Sequence, residues 1–494
     1  MYPLPTTLYR AADIKALEQC AIQEHGIAGL ILMGSAGDAI FQCLKARWPD
    51  AMSIAVVCGC GNNAGDGFIV AALASAAGLR VTVYAVADPE NLKDDALAAY
   101  RQYKAAQGRV VLFQPAQQLT ADVIVDALLG TGLDRPVTGL YRAAIEAINA
   151  SPAPVIAVDI PSGLSADTGN VMACAVKAAC TVTFIGLKQG LFSGQAADYC
   201  GDIAYASLAV PDAVFQSLPS SVYRVQRESW PRRARCAHKG NNGHVLVIGG
   251  DAGYSGAARL AAEAALRVGA GLVSVATRAE HAALMNVHRP ELMCHGVETA
   301  GQLEPLLAKI DVLVLGPGLG QSAWAKALFA VAVDAGKPVV VDADGLNLLA
   351  AKPMAKPDWI LTPHPGEAAR LLVCTTADIQ QDRFAAAKAI QAKFGGITVL
   401  KGAGTLIASG HDLAVSTTGN PGMATGGMGD VLSGVIAGLL AQGRPVADAA
   451  QQGVYIHGWA ADLAAANGGE RGLLASDLMP YLRRLVNGNT DAEL

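Results

Sequence analysis

The sequence predicts an α/β fold in two domains. Short Val/Ile-rich runs alternate with helix-patterned stretches, the whole alternation occurs twice, and glycine-rich turns directly follow several of the apolar runs. At 494 residues the chain exceeds what one hydrophobic core supports, so two domains of about 200 to 270 residues each are expected. The composition agrees: 52% hydrophobic, 16% charged and 5% aromatic, with 54 glycines, suits a globular enzyme rich in tight turns.

Helical patterning covers residues 11–25 and 28–46, and strands follow at 53–58, 80–86, 110–113, 123–126, 155–159 and 181–185. This alternation implies a mostly parallel sheet with helices on both faces, a Rossmann-like three-layer domain. Around 211–240 the pattern breaks into PDAVFQSLPSS and ESWPRRARCAHKGNNG, where prolines and clustered arginines lack periodicity. We take residues 1–215 as the first domain, 216–235 as a solvated linker and 236–494 as the second domain. There the series restarts: strand 244–248, helix 256–268, strands 272–276 and 312–315, helix 322–334, strands 338–342 and 359–362. Short adjacent strands at 397–401, 404–408 and 413–416 precede helices from 430 onward.

Charge and cysteine usage narrow the functional class. A net charge of -5, from 37 basic and 42 acidic residues, leaves no electrostatic footprint for nucleic acid or an anionic membrane. No apolar run reaches the ~20 residues of a membrane span, and the N-terminal residues lack the pattern of a secretion signal. The ten cysteines lie mostly in apolar runs, as reduced, buried thiols do. Cys58 and Cys60 are spaced as a strand entering a turn rather than as half of a metal site. A cytoplasmic homo-oligomer acting on small molecules, without nucleic-acid or membrane partners, is expected.

Residues 420–430 read NPGMATGGMGD, with Asp430 at the start of a helix expected over 431–440. Glycines let backbone N–H groups converge on an anion, the helix start adds partial positive charge, and Asp430 can take a proton from an attacking hydroxyl. Other glycine turns follow strands at 249–256, at GPGLG (316–320) and at KGAGT (401–405), where Lys401 and the amides of Gly402, Ala403, Gly404 and Thr405 can receive phosphates. GxxxxGK[ST] is absent, so this is not a Walker loop. His364 and Glu367 share the start of another helix, where Glu367 serves either the helix dipole or a water shell around Mg2+; Asp342 and Asp344 face the same choice.

The first half carries a second glycine turn, GCGNNAGDG at 59–67. Asp66 is expected in the first helical turn, where a carboxylate repels the pyrophosphate an ordinary dinucleotide-binding helix attracts. Asp126 with the turn 130–136, Asp159 with Ser162, and Lys188 all follow strand ends, where α/β proteins place ligands, although a plain strand-end turn explains any one of them. Asp126, Ser162 and the Asn63 side chain offer oxygens, the ligands of an alkali or alkaline-earth cation.

NNAGDG, DALLGTGLDRP, VDIPSGLSADTG and FIGLKQG make roughly the first 215 residues resemble the NAD(P)H-hydrate epimerase family. The resemblance implies epimerisation at the hydrated ring carbon of damaged NADH or NADPH, with potassium (K+) at Asn63, Asp126 and Ser162. By the same resemblance Asn62, Asn63, Ala64, Gly65, Asp66, Gly130, Thr131, Gly132, Leu133, Asp134, Arg135, Pro136, Tyr141 and Asp159 would contact the hydrate. Asp159 is the candidate acid/base and Lys188 the second. NPGMATGGMGDVLSG and TPHPGE make the second half resemble the ribokinase-like superfamily and, within it, the ADP/ATP-dependent NAD(P)H-hydrate dehydratases. HPGE stands where many sugar kinases of the superfamily have Asn-x-x-Glu. The resemblance implies that Ala257, Gly318, His364 and Asp430 contact the hydrate, and Lys401, Gly402, Ala403, Gly404, Thr405 and Gly429 the adenine nucleotide. The fused arrangement implies ADP as donor, with Mg2+. Two other readings stay open: a small-alcohol or vitamin-precursor kinase with an N-terminal nucleotide or cation sensor, and a non-enzymatic first half.

Overall fold

A computed structural model describes residues 4–487. The chain divides into two compact units, Met1–Val222 and Tyr223–Leu494.

In the first unit the main sheet has seven strands: β1 (Ser53–Cys58), β2 (Arg80–Ala85), β3 (Val110–Leu112), β4 (Val123–Ala127), β5 (Val155–Val158), β6 (Cys180–Phe184) and β7 (Asp202–Ala206). They lie in the order β3-β2-β1-β4-β5-β6-β7, every neighbour parallel. β1 shows why both faces need helices. Its Ile54, Val56 and Cys58 enter one apolar cluster and Ala55 and Val57 another, as a period of two requires. Helices Gly29–Arg47 and Asn62–Ala76 cover the first face. Helix Gly139–Ala150 covers the second with Ala144, Ile145 and Ile148.

The second unit repeats the plan: β8 (His244–Ile248), β9 (Leu272–Thr277), β10 (Met293–Gly296), β11 (Val312–Leu315), β12 (Val339–Val341), β13 (Trp359–Leu361), β14 (Ile397–Leu400), β15 (Thr405–Ser409) and β16 (Asp412–Ser416). Their order is β10-β9-β8-β11-β12-β13-β14-β15-β16. The neighbours are parallel up to β14 and antiparallel beyond it. In both units the strand order reverses beside the first strand, which opens a crevice at the carboxyl ends of β1 and β4 and of β8 and β11.

Several expectations shift. β7 and β10 were not foreseen, because neither DIAYA nor MCHG carries a Val/Ile run. The helix expected over 431–440 spans Met428–Ala441, because Gly427 caps it in a left-handed conformation (φ 91) that a side chain would resist. Asp66 lies outside the first helical turn: Gly61 is already the N-cap and the helix begins at Asn62. The argument from dipole repulsion therefore fails. Asp66 faces inward instead, 8% exposed.

All ten cysteines are unpaired; four are buried and three exposed, so thiol burial is partial. No helix among the described residues is long and apolar enough to cross a membrane.

Candidate active sites

The crevice of the first unit is a cavity of about 620 Å³. The turn after β1 delivers Asn62 and Asn63, the turn after β4 delivers residues 130–135, the end of β5 delivers Asp159, and a short strand Leu187–Lys188 just past β6 delivers Lys188. Gly59 permits this closure, since a Cβ there would overlap the Leu128 carbonyl. Asp159 stands at φ 66, a left-handed backbone that Asp tolerates better than most residues. Its carboxylate accepts from Lys188 Nζ, from the Phe184 amide at 3.1 Å and from Thr183 Oγ1 at 3.2 Å. Lys188 is fully buried and also donates to Thr183 Oγ1 (2.9 Å) and the Phe184 carbonyl (3.0 Å). Asp66 and Glu18 share the cavity. Burial and the neighbouring Asp159 push both carboxyls above their ordinary range, Asp66 far above it.

Asp126 and Ser162 do not line this cavity themselves but accept from the amides of Leu128 and Leu129, which do. The fully buried Asp126 carboxylate accepts from the Ser162 amide (2.8 Å) and hydroxyl (2.6 Å). Burial lifts Asp126 to about 6 against these bonds. Asn63 Nδ2 donates to the Val158 carbonyl at 2.9 Å, and Gly130 packs against its Oδ1. Ala64 is in the core, Gly65 packs against Met33, Pro136 is exposed and Tyr141 is half-buried. These four do not line the cavity.

In the second unit, helix Met428–Ala441 is buried along nearly its whole length and crosses helix Ser255–Arg267 on small residues. A Cβ on Gly434 would overlap the Ala261 carbonyl, so the two backbones are in contact. This crossing holds Asp430, in the first turn, over the sheet's carboxyl edge. Asp342, at the end of β12, is 1% exposed and accepts from Lys401 Nζ (2.8 Å) and Ser433 Oγ (2.7 Å). Lys401 also lies 3.8 Å from Glu367 Oε2, and its Nζ sits 3.1 Å from where a Cβ on Gly429 would be. Burial and the Asp342 carboxylate raise Asp430 to about 7 despite Lys401. Lys401 itself is lowered by burial, but Asp342 and Glu367 outweigh that and raise it overall.

His364 caps helix Pro365–Leu372, its Nδ1 accepting from the Gly366 and Glu367 amides at 3.0 and 3.3 Å. Nε2 therefore carries the proton of the neutral ring, and burial together with the Lys401 and Arg370 charges holds the ring's pKa down. Glu367 returns the cap by accepting from the His364 amide at 2.8 Å, and burial raises its carboxyl. Asp344 accepts from the Gly320 amide at 2.8 Å. Gly318 (φ 60) lies against Tyr254 and Ala257. The loop at 401–405 is the hairpin connection between β14 and β15, on the same edge.

Sequence reasoning missed Glu18, Thr183 and Ser433. Ser433 was within reach: three residues after Asp430 on one helix, it shares that face. Glu18 carries no local signal.

A family model described as NAD(P)H-hydrate dehydratase matches residues 245–484, and one described as YjeF-related protein N-terminus matches residues 29–190. The chain is 50% identical over 487 residues to a bifunctional NAD(P)H-hydrate repair enzyme of Coxiella burnetii, covering 98% of this chain and 100% of that one. The Escherichia coli enzyme of the same description is 44% identical over 490 residues, covering 98% and 95%. A solved ribokinase-like superfamily protein from Enterococcus faecalis is 30% identical, with a TM-score of 0.51, and covers 55% of this chain and 98% of its own.

Proposed function

The chain belongs to the bifunctional NAD(P)H-hydrate repair enzymes, and from that premise we propose how its two crevices divide the work. The first unit exchanges the R and S hydrates of NADH and NADPH; the second dehydrates the S hydrate with ADP, giving AMP and phosphate. A dehydratase selective for one epimer leaves the other behind, and the first unit returns it to the usable form. The observation that carries this reading is the place of Asp430, a half-buried carboxyl in the first turn of a helix that follows an open glycine loop, with Lys401 close to the adjacent Gly429.

In the second crevice Asp430 takes the proton of the ring hydroxyl, and the oxygen attacks the terminal phosphorus of ADP, breaking its bridging P–O bond and releasing AMP. The C–O bond then breaks as the ring nitrogen's lone pair moves in, inorganic phosphate departs, and the adjacent ring carbon loses a proton to restore the dihydronicotinamide. Ala257, Gly318 and His364 border the hydrate, while Lys401, Gly402, Ala403, Gly404, Thr405 and Gly429 receive the nucleotide. The carboxyl groups of Asp342, Glu367 and Asp430 all act on Lys401, an oxygen-rich set that suits a divalent cation. Among the described residues no three of His, Cys, Asp or Glu gather to hold a metal directly. Mg2+ would accompany the nucleotide, held through its water shell by Glu367, and supplies charge neutralisation at the phosphates.

In the first crevice Asp159 is the acid/base. Lys188 holds its carboxylate in place and can relay the proton. Asn62, Asn63, Asp66, residues 130–135 and Asp159 border the hydrate. The oxygens of Asn63, Asp126 and Ser162 carry one formal negative charge between them and fit potassium, which would supply fixed positive charge beneath the hydrate. Ten unpaired cysteines support a reducing, cytoplasmic setting.

Mixed NADH hydrate epimers supply the test. Without ADP only epimer exchange is expected; with ADP and Mg2+ both epimers should vanish as the absorbance of reduced nicotinamide returns. A stable phosphorylated product would make the second unit a kinase. Gly434→Ala probes the helix crossing that places Asp430. Overpacking of this kind costs about 1–3 kcal/mol, and a small displacement of the base slows dehydration by about tenfold or more. Calorimetry and the two assays should show a lower melting temperature and slow dehydration with normal epimer exchange.

A further inference from the structure

Arg383, the first residue of helix Arg383–Phe394, lies beneath the hairpin loop at 401–405 and is 3% exposed. Its guanidinium donates to neutral acceptors: Gln380 Oε1 and the Lys401 carbonyl at 3.3 Å, and the Leu400 and Gly404 carbonyls at 3.4 Å. Nε is buried without a hydrogen-bond partner. Among the described residues no carboxylate pairs with this charge, and burial pulls the group down to about 10. A buried cation without a counter-ion is costly, so its retention calls for an anion that arrives from outside.

The loop separates that charge from solvent by one turn. Gly402 stands at φ 142, and a Cβ there would come 2.7 Å from Arg383 Nη1, so only a bare backbone lies between the guanidinium and the open side. Drawing the carbonyls of residues 401 and 404 inward turns the N–H of the following residue in each peptide, Gly402 and Thr405, the other way, and the Gly402 amide donates to Thr405 Oγ1 at 3.3 Å, which closes the loop over the guanidinium. Lys401 shares its charge with Asp342 and Glu367, so the uncompensated Arg383 charge beneath the loop adds to what Lys401 can offer an anion.

We propose that Arg383 is the positioning residue through which this loop recognises the nucleotide's phosphates, fixing the loop's carbonyls inward and supplying positive charge behind its bare glycine backbone. This rests on the reading of the loop as the nucleotide site. Calorimetric titration of the full chain with ADP and with adenosine separates the two claims. If the wild-type chain binds ADP no more tightly than adenosine, the nucleotide reading itself fails.

With that difference in hand, Arg383→Met should weaken ADP by roughly tenfold to a hundredfold and leave adenosine unchanged. Arg383→Lys, which keeps the charge but loses the fork, should weaken ADP by a smaller factor, again sparing adenosine. A residue serving only the core would shift both ligands together or neither, and either result overturns the proposal. Should the methionine variant fail to fold, the lysine variant carries the test. Failure of the lysine variant to fold would overturn the proposal too, by making Arg383 a core residue.

Discussion

Asp430→Asn is expected to stop dehydration while epimer exchange continues at the wild-type rate. Asparagine keeps the shape of aspartate but accepts no proton, and loss of a positioned general base costs roughly 10²–10⁴-fold in rate. The fold should survive. The change removes a charge that sits beside the Asp342 carboxylate, so like-charge repulsion falls even as one attraction to Lys401 is lost. The same group sets the pH dependence. Burial and Asp342 raise Asp430 to about 7, so the carboxyl is protonated and inactive below that pH. Dehydration by the wild-type enzyme should climb as pH rises through about 7 and level off above it. Loss of both activities in a folded Asp430→Asn protein would contradict two separate sites, and a flat profile between pH 5 and 8 would remove Asp430 as the base.

The second large effect is expected from Lys188→Met. Lys188 has no solvent exposure, and its ammonium is held by Asp159, Thr183 and the Phe184 carbonyl. Removing one partner of such a pair strands the other charge, at a cost of about 3–5 kcal/mol. Denaturant unfolding should show this loss in the first unit, epimer exchange should cease, and ADP-dependent consumption of the S hydrate should persist. The double variant Lys188→Met/Asp159→Asn separates stability from chemistry. With both charges gone, most of the stability should return while epimerisation stays absent. Asparagine suits the test because it also accepts the left-handed backbone at residue 159. Brisk epimer exchange in a folded Lys188→Met protein would take Lys188 out of the reaction.

Much of the architecture was legible because its strands are runs of Val and Ile buried on both faces, as in Ser53–Cys58 and Val312–Leu315. Strands without that signature were not. Asp202–Ala206 opens on an acidic residue, and Met293–Gly296 is short and only partly buried. The glycine turns and the acids at strand ends stood out locally, and the fold places most of them along two crevices. What the sequence hid depends on neighbours far along the chain. Lys401 reads as a phosphate ligand but is also held by Asp342, 59 positions away. Arg383 reads as an ordinary helix residue, and only its loss of solvent exposes the uncompensated charge. Asp66 was misplaced by one turn because Gly61, rather than a polar residue, begins its helix.

Both sheets gather their chemistry at the ends of their strands, which frees the opposite rim. The bend at Gly78, between helix Asn62–Ala76 and β2, and the one at Gly336, between helix Ala323–Val333 and β12, both turn through left-handed glycines at strand starts. Fluorophores, affinity peptides or surface tethers can be attached at these bends without crowding either reaction, one handle for each half of the molecule.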